Sequence, residues 1–251
     1  MSAVSRRTFL VAAGTAGAAS LTTTRLARGQ SGDELPHYAE QPSSVSLEYD
    51  QADLETYQPL LKLTPEDDSK LLGFYGWKAV DENRSTDVYC YWTSYSHQEA
   101  SGIGRVFFNA DQHYGDHEPV QVVVDSETGE VRTVRASIYH WIKGETSPTD
   151  RLMDETGKRP RLRVVSPWHQ YTLAAEDAEV QQKSVEDLRG EYRSWLRNGL
   201  DESVAIGATT DPWTMADRSS WWREGTFGIG LNEQRIKLAQ AIGLDTVGEL
   251  S

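Results

Sequence analysis

From Phe74 onward, apolar residues recur at every second position rather than at helical spacing. Phe74 to Val80 reads as a strand, Asp81 to Ser85 as a turn, and Val88 to Tyr95 as the returning strand. In that second run Tyr89 and Tyr91 fall on one face, and Cys90 and Trp92 on the other. Arg105 to Phe108 and Val120 to Val124 continue the series. The polar run Asp125 to Glu130, with Gly129, then turns the chain into Val131 to Ile142. Strand, glycine-containing turn, strand is the hairpin pattern, and the Val and aromatic content supports it. Residues 143–161 contain Gly144, Pro148, Gly157 and Pro160 and read as a long loop, followed by a short strand from Leu162 to Val165.

Helical signals flank these strands. Thr64, Pro65, Glu66 and Asp67 supply a cap, a first-position proline and acidic residues for the first turn of a short helix that stops at Gly73. Across residues 176–197, Val185, Leu188, Tyr192, Trp195 and Leu196 share one helical face, and Gly199 ends the run. Asn232 caps a final helix through Ile242, stopped by Gly243. Strands first and helices last predict an α+β fold. An antiparallel sheet or β-sandwich spans about 70–166, and a helical tail over about 174–245 packs on it. Residues 61–251 form one such domain. Residues 30–60, polar and interrupted by Pro36 and Pro42, read as an extended arm. No internal repeat interrupts the series.

The N-terminus has a different character. Arg6 and Arg7 precede an apolar, Ala- and Gly-rich run from Phe9 to Leu21, and Ala27-Arg28-Gly29 offers small residues for cleavage. This is a twin-arginine export leader over residues 1–29. Its apolar run is too short to span a bilayer of roughly 30 Å. The 38 acidic and 25 basic side chains give a net charge of −13, and the leader contributes four of the arginines. Without it, 38 acids face 21 bases, a net charge of −17. Arg outnumbers Lys by 18 to 7 along the whole chain. An acidic, Lys-poor surface stays soluble where salt screens charge repulsion, which points to a halophilic exported protein, secreted or at the cell surface. Nothing resembles a basic stripe, so nucleic acid is excluded as a partner. One cysteine, Cys90, permits no disulfide within the chain and no Cys-based metal centre. The aromatic count, eight Trp and eleven Tyr, supplies core area where Leu and Ile are scarce.

The densest polar segment runs from Asn109 to Glu118, in the predicted loop between two strands. Asp111, His113, Asp116 and Glu118 lie within it, and His140 sits on the strand that returns from the hairpin. Carboxylates and a few imidazoles converging at a strand end are a donor set for a hard divalent cation, calcium or magnesium rather than zinc. A solvated acidic loop is the alternative. A zinc hydrolase would place two histidines and a base at helical spacing, but Pro119 follows Glu118 and no fourth-position histidine appears. Glu118 remains the candidate general base should the site be hydrolytic. His169, flanked by Trp168 and Tyr171, reads as a half-buried residue in a packed loop. Trp213, Trp221 and Trp222 suggest either cover for the sheet or an aromatic platform for polysaccharide. Asn83-Arg84-Ser85 fits the N-glycosylation acceptor pattern on a turn. There is no nucleophile elbow, dinucleotide loop or phosphate-binding loop.

The segment His113-Tyr114-Gly115-Asp116-His117-Glu118, followed by the strand Val120 to Val124, resembles the heptapeptide region of the necrosis-inducing proteins. It is also similar to a vacuolar-sorting-type family with an Asp/His/Glu segment. In the pattern Gly-His-Arg-His-Asp-Trp-Glu, the first His, the Asp and the Glu match His113, Asp116 and Glu118. Gly115 stands in place of the second His, and His117 in place of the Trp. The resemblance implies a β-sandwich with Asp116 and Glu118 holding calcium or magnesium at its edge. It does not bring the toxin activity with it. Three readings follow: a non-enzymatic cation-binding protein, a metal-dependent hydrolase on the same cluster, and a structural or carbohydrate-contacting surface protein.

Overall fold

The computed structural model describes residues 40–98, 113–139, 142–173, 183–190, 210–213 and 223–226. It begins with strand β1 (Val45–Glu48) and helix α1 (Gln51–Tyr57). The carboxylate of Asp50 caps α1 by accepting from the Asp53 backbone N–H at 2.9 Å. Leu54 and Tyr57, three apart, bury the inner face. Strand β2 (Leu60–Lys62) and helix α2 (Pro65–Lys70) follow. Thr64 caps α2, as its sequence predicts. The segment expected to be an extended arm is therefore folded from Val45 onward, because Asp50 can start a helix and Leu54 has a core to enter.

The central meander is β3 (Leu71–Asp81), β4 (Thr86–Gln98), β5 (His113–Asp125), β6 (Val131–Tyr139) and β7 (Ile142–Thr146), each antiparallel to the last. Strand β8 (Arg161–Val165) pairs with β2 on one side and with β9 (Gln170–Leu173) on the other in a second, three-stranded sheet. Two short strands, β10 (Val185–Asp187) and β11 (Arg223–Thr226), add to the large sheet in parallel, on β3 and β7. Within the expected helix over 176–197, residues 185–187 are thus a strand, and the described residues 188–190 are helical. Strand β1 covers only residues 78–81 of β3, which leaves the edge at Phe74 to Gly76 open for β10 to pair with.

The alternation read in Val88 to Tyr95 sorts the core as expected. Tyr89, Tyr91 and Tyr95 join Val120, Val122 and Val124 against Leu162, Val164 and Tyr171 of the small sheet, so the two sheets form a sandwich. Val88, Cys90 and Trp92 face the other way, with Trp77, Val123 and Leu188. Cys90 is the small buried residue its surroundings predicted, and burial pushes its thiol up to about 12. The sandwich and the meander agree with the α+β expectation. The predicted strand at Arg105 to Phe108, the helix from Asn232 to Ile242 and the leader at residues 1–29 lie outside the described residues. Among the described residues no helix is long and apolar enough to cross a membrane.

Gly76 marks a tight approach in the large sheet. A Cβ there would stand 2.9 Å from Val185 Cγ1 and 3.1 Å from the Cys90 carbonyl oxygen. The backbone oxygen cannot yield, so Gly76→Ala must push β10 away from β3. The expected cost is about 1–3 kcal/mol, seen as a lower urea midpoint at unchanged m-value. A midpoint equal to that of wild type would show that β10 contributes nothing to the folded state.

Candidate functional site

The polar segment expected as a loop is, from His113 onward, the first half of the thirteen-residue strand β5. It is a strand because β4 extends to Gln98 and supplies backbone partners as far as His113. Strand geometry then decides which residues can meet. Asp116 pairs with Tyr95 and Glu118 with Thr93, so both carboxylates lie on the sandwich-facing side, two residues apart and both buried. His117 pairs with Ser94 on the opposite side. Its Nε2 lies 3.4 Å from Ser94 Oγ, and its ring meets Trp92 edge-on. His113 is placed on the strand opposite Gln98. Asp111 and His140 lie outside the described residues. Of the five expected ligands, the structure brings together Asp116 and Glu118. Among the described residues no three His, Cys, Asp or Glu side chains converge to hold a metal ion.

Asp116 instead meets His169, and through that ring it is linked to Asp67. His169 Nδ1 lies 2.6 Å from Asp116 Oδ2, a short charge-assisted hydrogen bond. On the other side of the ring, Nε2 stands 3.5 Å from Asp67 Oδ1, an ion-pair separation rather than a hydrogen bond. Tyr95 stacks on the imidazole with centroids 3.9 Å apart and planes 8° from parallel. All four side chains are buried, and His169 is fully so rather than half-buried.

Each partner is fixed by its own element. Asp67 is held in the first turn of α2 by the capping residue, whose Oγ1 donates to Asp67 Oδ2 at 2.7 Å. Ser166 Oγ donates to its other oxygen at 3.1 Å. His169 ends the turn between β8 and β9, after a cis Ser166–Pro167 peptide, with a left-handed φ of 57°. Such a backbone costs a non-glycine residue on the order of 1–3 kcal/mol, which its hydrogen bonds must offset. Next to it, Tyr171 and Thr93 share a 2.7 Å hydroxyl contact. Both hydroxyl oxygens lie near the Glu118 carbonyl oxygen, at 3.2 and 3.3 Å; one hydroxyl donates to the other, and the second donates to that carbonyl, which sets the Glu118 backbone in register with the small sheet.

The electrostatics follow from this geometry. Burial alone would lower the His169 pKa, but the hydrogen bond to Asp116, then Asp67, raise it above the ordinary 6.5. Burial alone would raise the Asp67 carboxyl, but His169, Thr64 and Ser166 hold it below the ordinary 3.8. The set therefore favours an imidazolium between carboxylates.

Other features described in the sequence are used structurally. Trp213 packs on the Trp77–Trp92 side of the sheet and donates Nε1–H to Thr86 Oγ1 at 3.0 Å, so it covers the sheet rather than forming a platform. Trp221 and Trp222 lie outside the described residues. An open groove lined by Arg132, Met153, Asp154, Lys158 and Arg161 lies by the β5–β6 turn, at the end of β5 away from Asp116.

A pH dependence with two limbs is expected. The His169 contribution is complete below about 6.5 and is lost as pH rises through its raised folded value. The Asp67 contribution is present above about 3.8 and is lost as pH falls through its lowered folded value. Thermal melts should be highest between these limits. His169→Gln should lose the alkaline decline and cost about 3–5 kcal/mol at the optimum. An unchanged alkaline limb in that variant would assign the decline to other groups.

No protein-family model matches this sequence, and no curated protein does. Solved structures do. The structure described as NLPPya in complex with glucosamine is 15% identical, covers 78% of this chain and 92% of its own, and superposes with a TM-score of 0.41. Necrosis and Ethylene inducing Protein 2, from the causal agent of cocoa's witches' broom disease, is 18% identical over 75% of this chain and 90% of its own, with a TM-score of 0.40. A third, described as a toxin fold for microbial attack and plant defense, is 14% identical over 78% and 92%, with a TM-score of 0.39. These structures resemble the chain weakly.

Proposed function

We propose that this is a non-enzymatic binding protein, exported by its twin-arginine leader into salty surroundings, that holds a divalent cation at the acidic half of β5. The observation that carries this reading is the placement of Asp116 and Glu118. They are neighbouring buried carboxylates on one strand face, and the first is aimed by His169 from behind. Carboxylate oxygens are the donors that calcium and magnesium take. Ligating carboxylates are commonly oriented by a hydrogen-bonded second layer of this kind. Bringing like charges together under a sheet is costly, and a bound cation offsets that cost. Asp116 and Glu118 would hold the ion, with Asp111, His113 and His140 as the further donors suggested by the sequence. The ion would supply the positive charge that ties the start of β5 to the sandwich.

The hydrolase reading is less well supported. It needs a histidine-bound metal beside Glu118 as base, and His117 stands on the opposite face of the sheet. A sugar platform on the Trp-rich segment has no support at Trp213, which is committed to Thr86.

The test is a thermal melt of the leader-free protein in molar salt, with calcium, magnesium or a chelator. A cation about 100-fold above its Kd should raise the midpoint by about 5–10 °C. Chelation should remove the rise. Glu118→Gln should melt at one temperature in both conditions, and so should the Asp116→Asn, Glu118→Gln double variant. The single variant matters because Asp116→Asn also disturbs His169. A wild-type midpoint indifferent to both cation and chelator overturns the proposal.

A further inference from the structure

The β3–β4 hairpin ends in a turn that takes no part in the core or in the acidic pair. Its residues Glu82, Asn83, Arg84 and Ser85 are all exposed. Asp81 organises it. The Asp81 carbonyl accepts from the Arg84 backbone N–H at 2.9 Å, and one carboxylate oxygen accepts from both the Asn83 backbone N–H and Asn83 Nδ2, at 3.0 and 3.1 Å. The base of the turn is pinned as well. Ser126 N–H donates to the Ser85 carbonyl at 3.0 Å, and Trp213 Nε1–H donates to Thr86 Oγ1 at 3.0 Å. Arg84 lies over the Trp213 ring at 5.6 Å. The tip is therefore a fixed projection at one end of the sheet. In β4, Tyr95, the partner of Asp116, lies nine positions on from Thr86, which is about 30 Å of strand.

This tip carries the only triplet in the chain with the N-glycosylation acceptor pattern. Of the four asparagines, 83, 109, 198 and 232, Asn83 alone is followed by a non-proline residue and then Ser or Thr. A chain that folds before export presents only its surface triplets to a transferring enzyme. Asn83 meets that requirement.

We propose that Asn83 is an N-glycosylation site, whose donor is a lipid-linked oligosaccharide phosphate outside the cell. In the transfer, Nδ2 bonds to the anomeric carbon of the sugar. The bond from that carbon to the lipid phosphate breaks, and the lipid phosphate leaves with the electron pair. Nδ2 gives up one proton to a base of the transferring enzyme. The turn suits this step. Nδ2 carries two protons, and the contact with Asp81 needs one of them. A glycosylated amide still carries one N–H, as many as the Asp81 contact uses. The sugar extends into solvent from the end of the sheet remote from Asp116 and Glu118.

The proposal rests on export and not on the cation reading, and one experiment keeps the two apart. The full-length chain is produced in the organism that makes it, recovered from outside the cell and measured by intact-protein and peptide mass spectrometry. Asn83→Gln, Ser85→Ala and Ser85→Thr variants run beside it. Wild type and Ser85→Thr should carry a glycan mass on the peptide containing Asn83, and the other two variants should have the bare polypeptide mass. All four should respond alike to chelator in the thermal melt. An unmodified Asn83 in the recovered wild type overturns the proposal, as does a glycan mass that persists in Asn83→Gln.

Discussion

An imidazole sealed between two carboxylates is the constraint on which the rest of this structure turns. His169 belongs to the small sheet, Asp116 to the large one, and Asp67 to the helix between β2 and β3. Burying any one of the three alone would cost several kcal/mol. Together they satisfy one another, and Tyr95 closes the stack. The requirement is mutual, so the three elements can take few relative positions. Asp116 is held in place by the same bond that joins the sheets.

The hydroxyl groups of the sandwich extend the same logic into neutral chemistry. Tyr91 OH donates to the Leu54 carbonyl at the end of α1, and Tyr57 OH to the Gly129 carbonyl in the β5–β6 turn. Tyr171 and Thr93 converge on the Glu118 carbonyl. Aromatic rings give the core its area, and their polar ends set its register. This is how a chain poor in Leu and Ile still specifies one packing arrangement.

The sequence reading succeeds where the signal is local. Period-two alternation in Val88 to Tyr95 predicts which face each side chain takes, and Thr64-Pro65-Glu66-Asp67 predicts a capped helix at the right start, although α2 ends at Lys70, before the expected stop at Gly73. It fails where a distant partner decides. Residues 113–118 look like a loop because Gly115 and four charged or titratable residues interrupt any apolar pattern; β4 makes them a strand. Val185 and Leu188 fit a helical face, yet the free edge of β3 draws 185–187 into the sheet. The acidic pair was visible as Asp116 and Glu118. The bridge from Asp116 through His169 to Asp67 is not legible, because Asp67 reads as a first-turn acid and His169 lies 53 residues beyond Asp116. The flanking Trp168 and Tyr171 signalled that His169 was enclosed, but nothing local said by what.

The parallel strands at the margins have a consequence for the order of assembly. The meander from β3 to β7 can pair as it is synthesised, each strand beside its predecessor. Its borders cannot. Residues 74–76 wait for 185–187 and residues 142–145 for 223–226, and in the small sheet residues 60–62 wait for 161–163. Contacts so far apart in sequence close late. The last of them cannot form until almost the whole polypeptide has left the ribosome. Until then the sheet has raw borders, which are sticky and open to pairing with other chains. Completion is thus tied to the C-terminal quarter of the chain, and a truncated product would expose those borders.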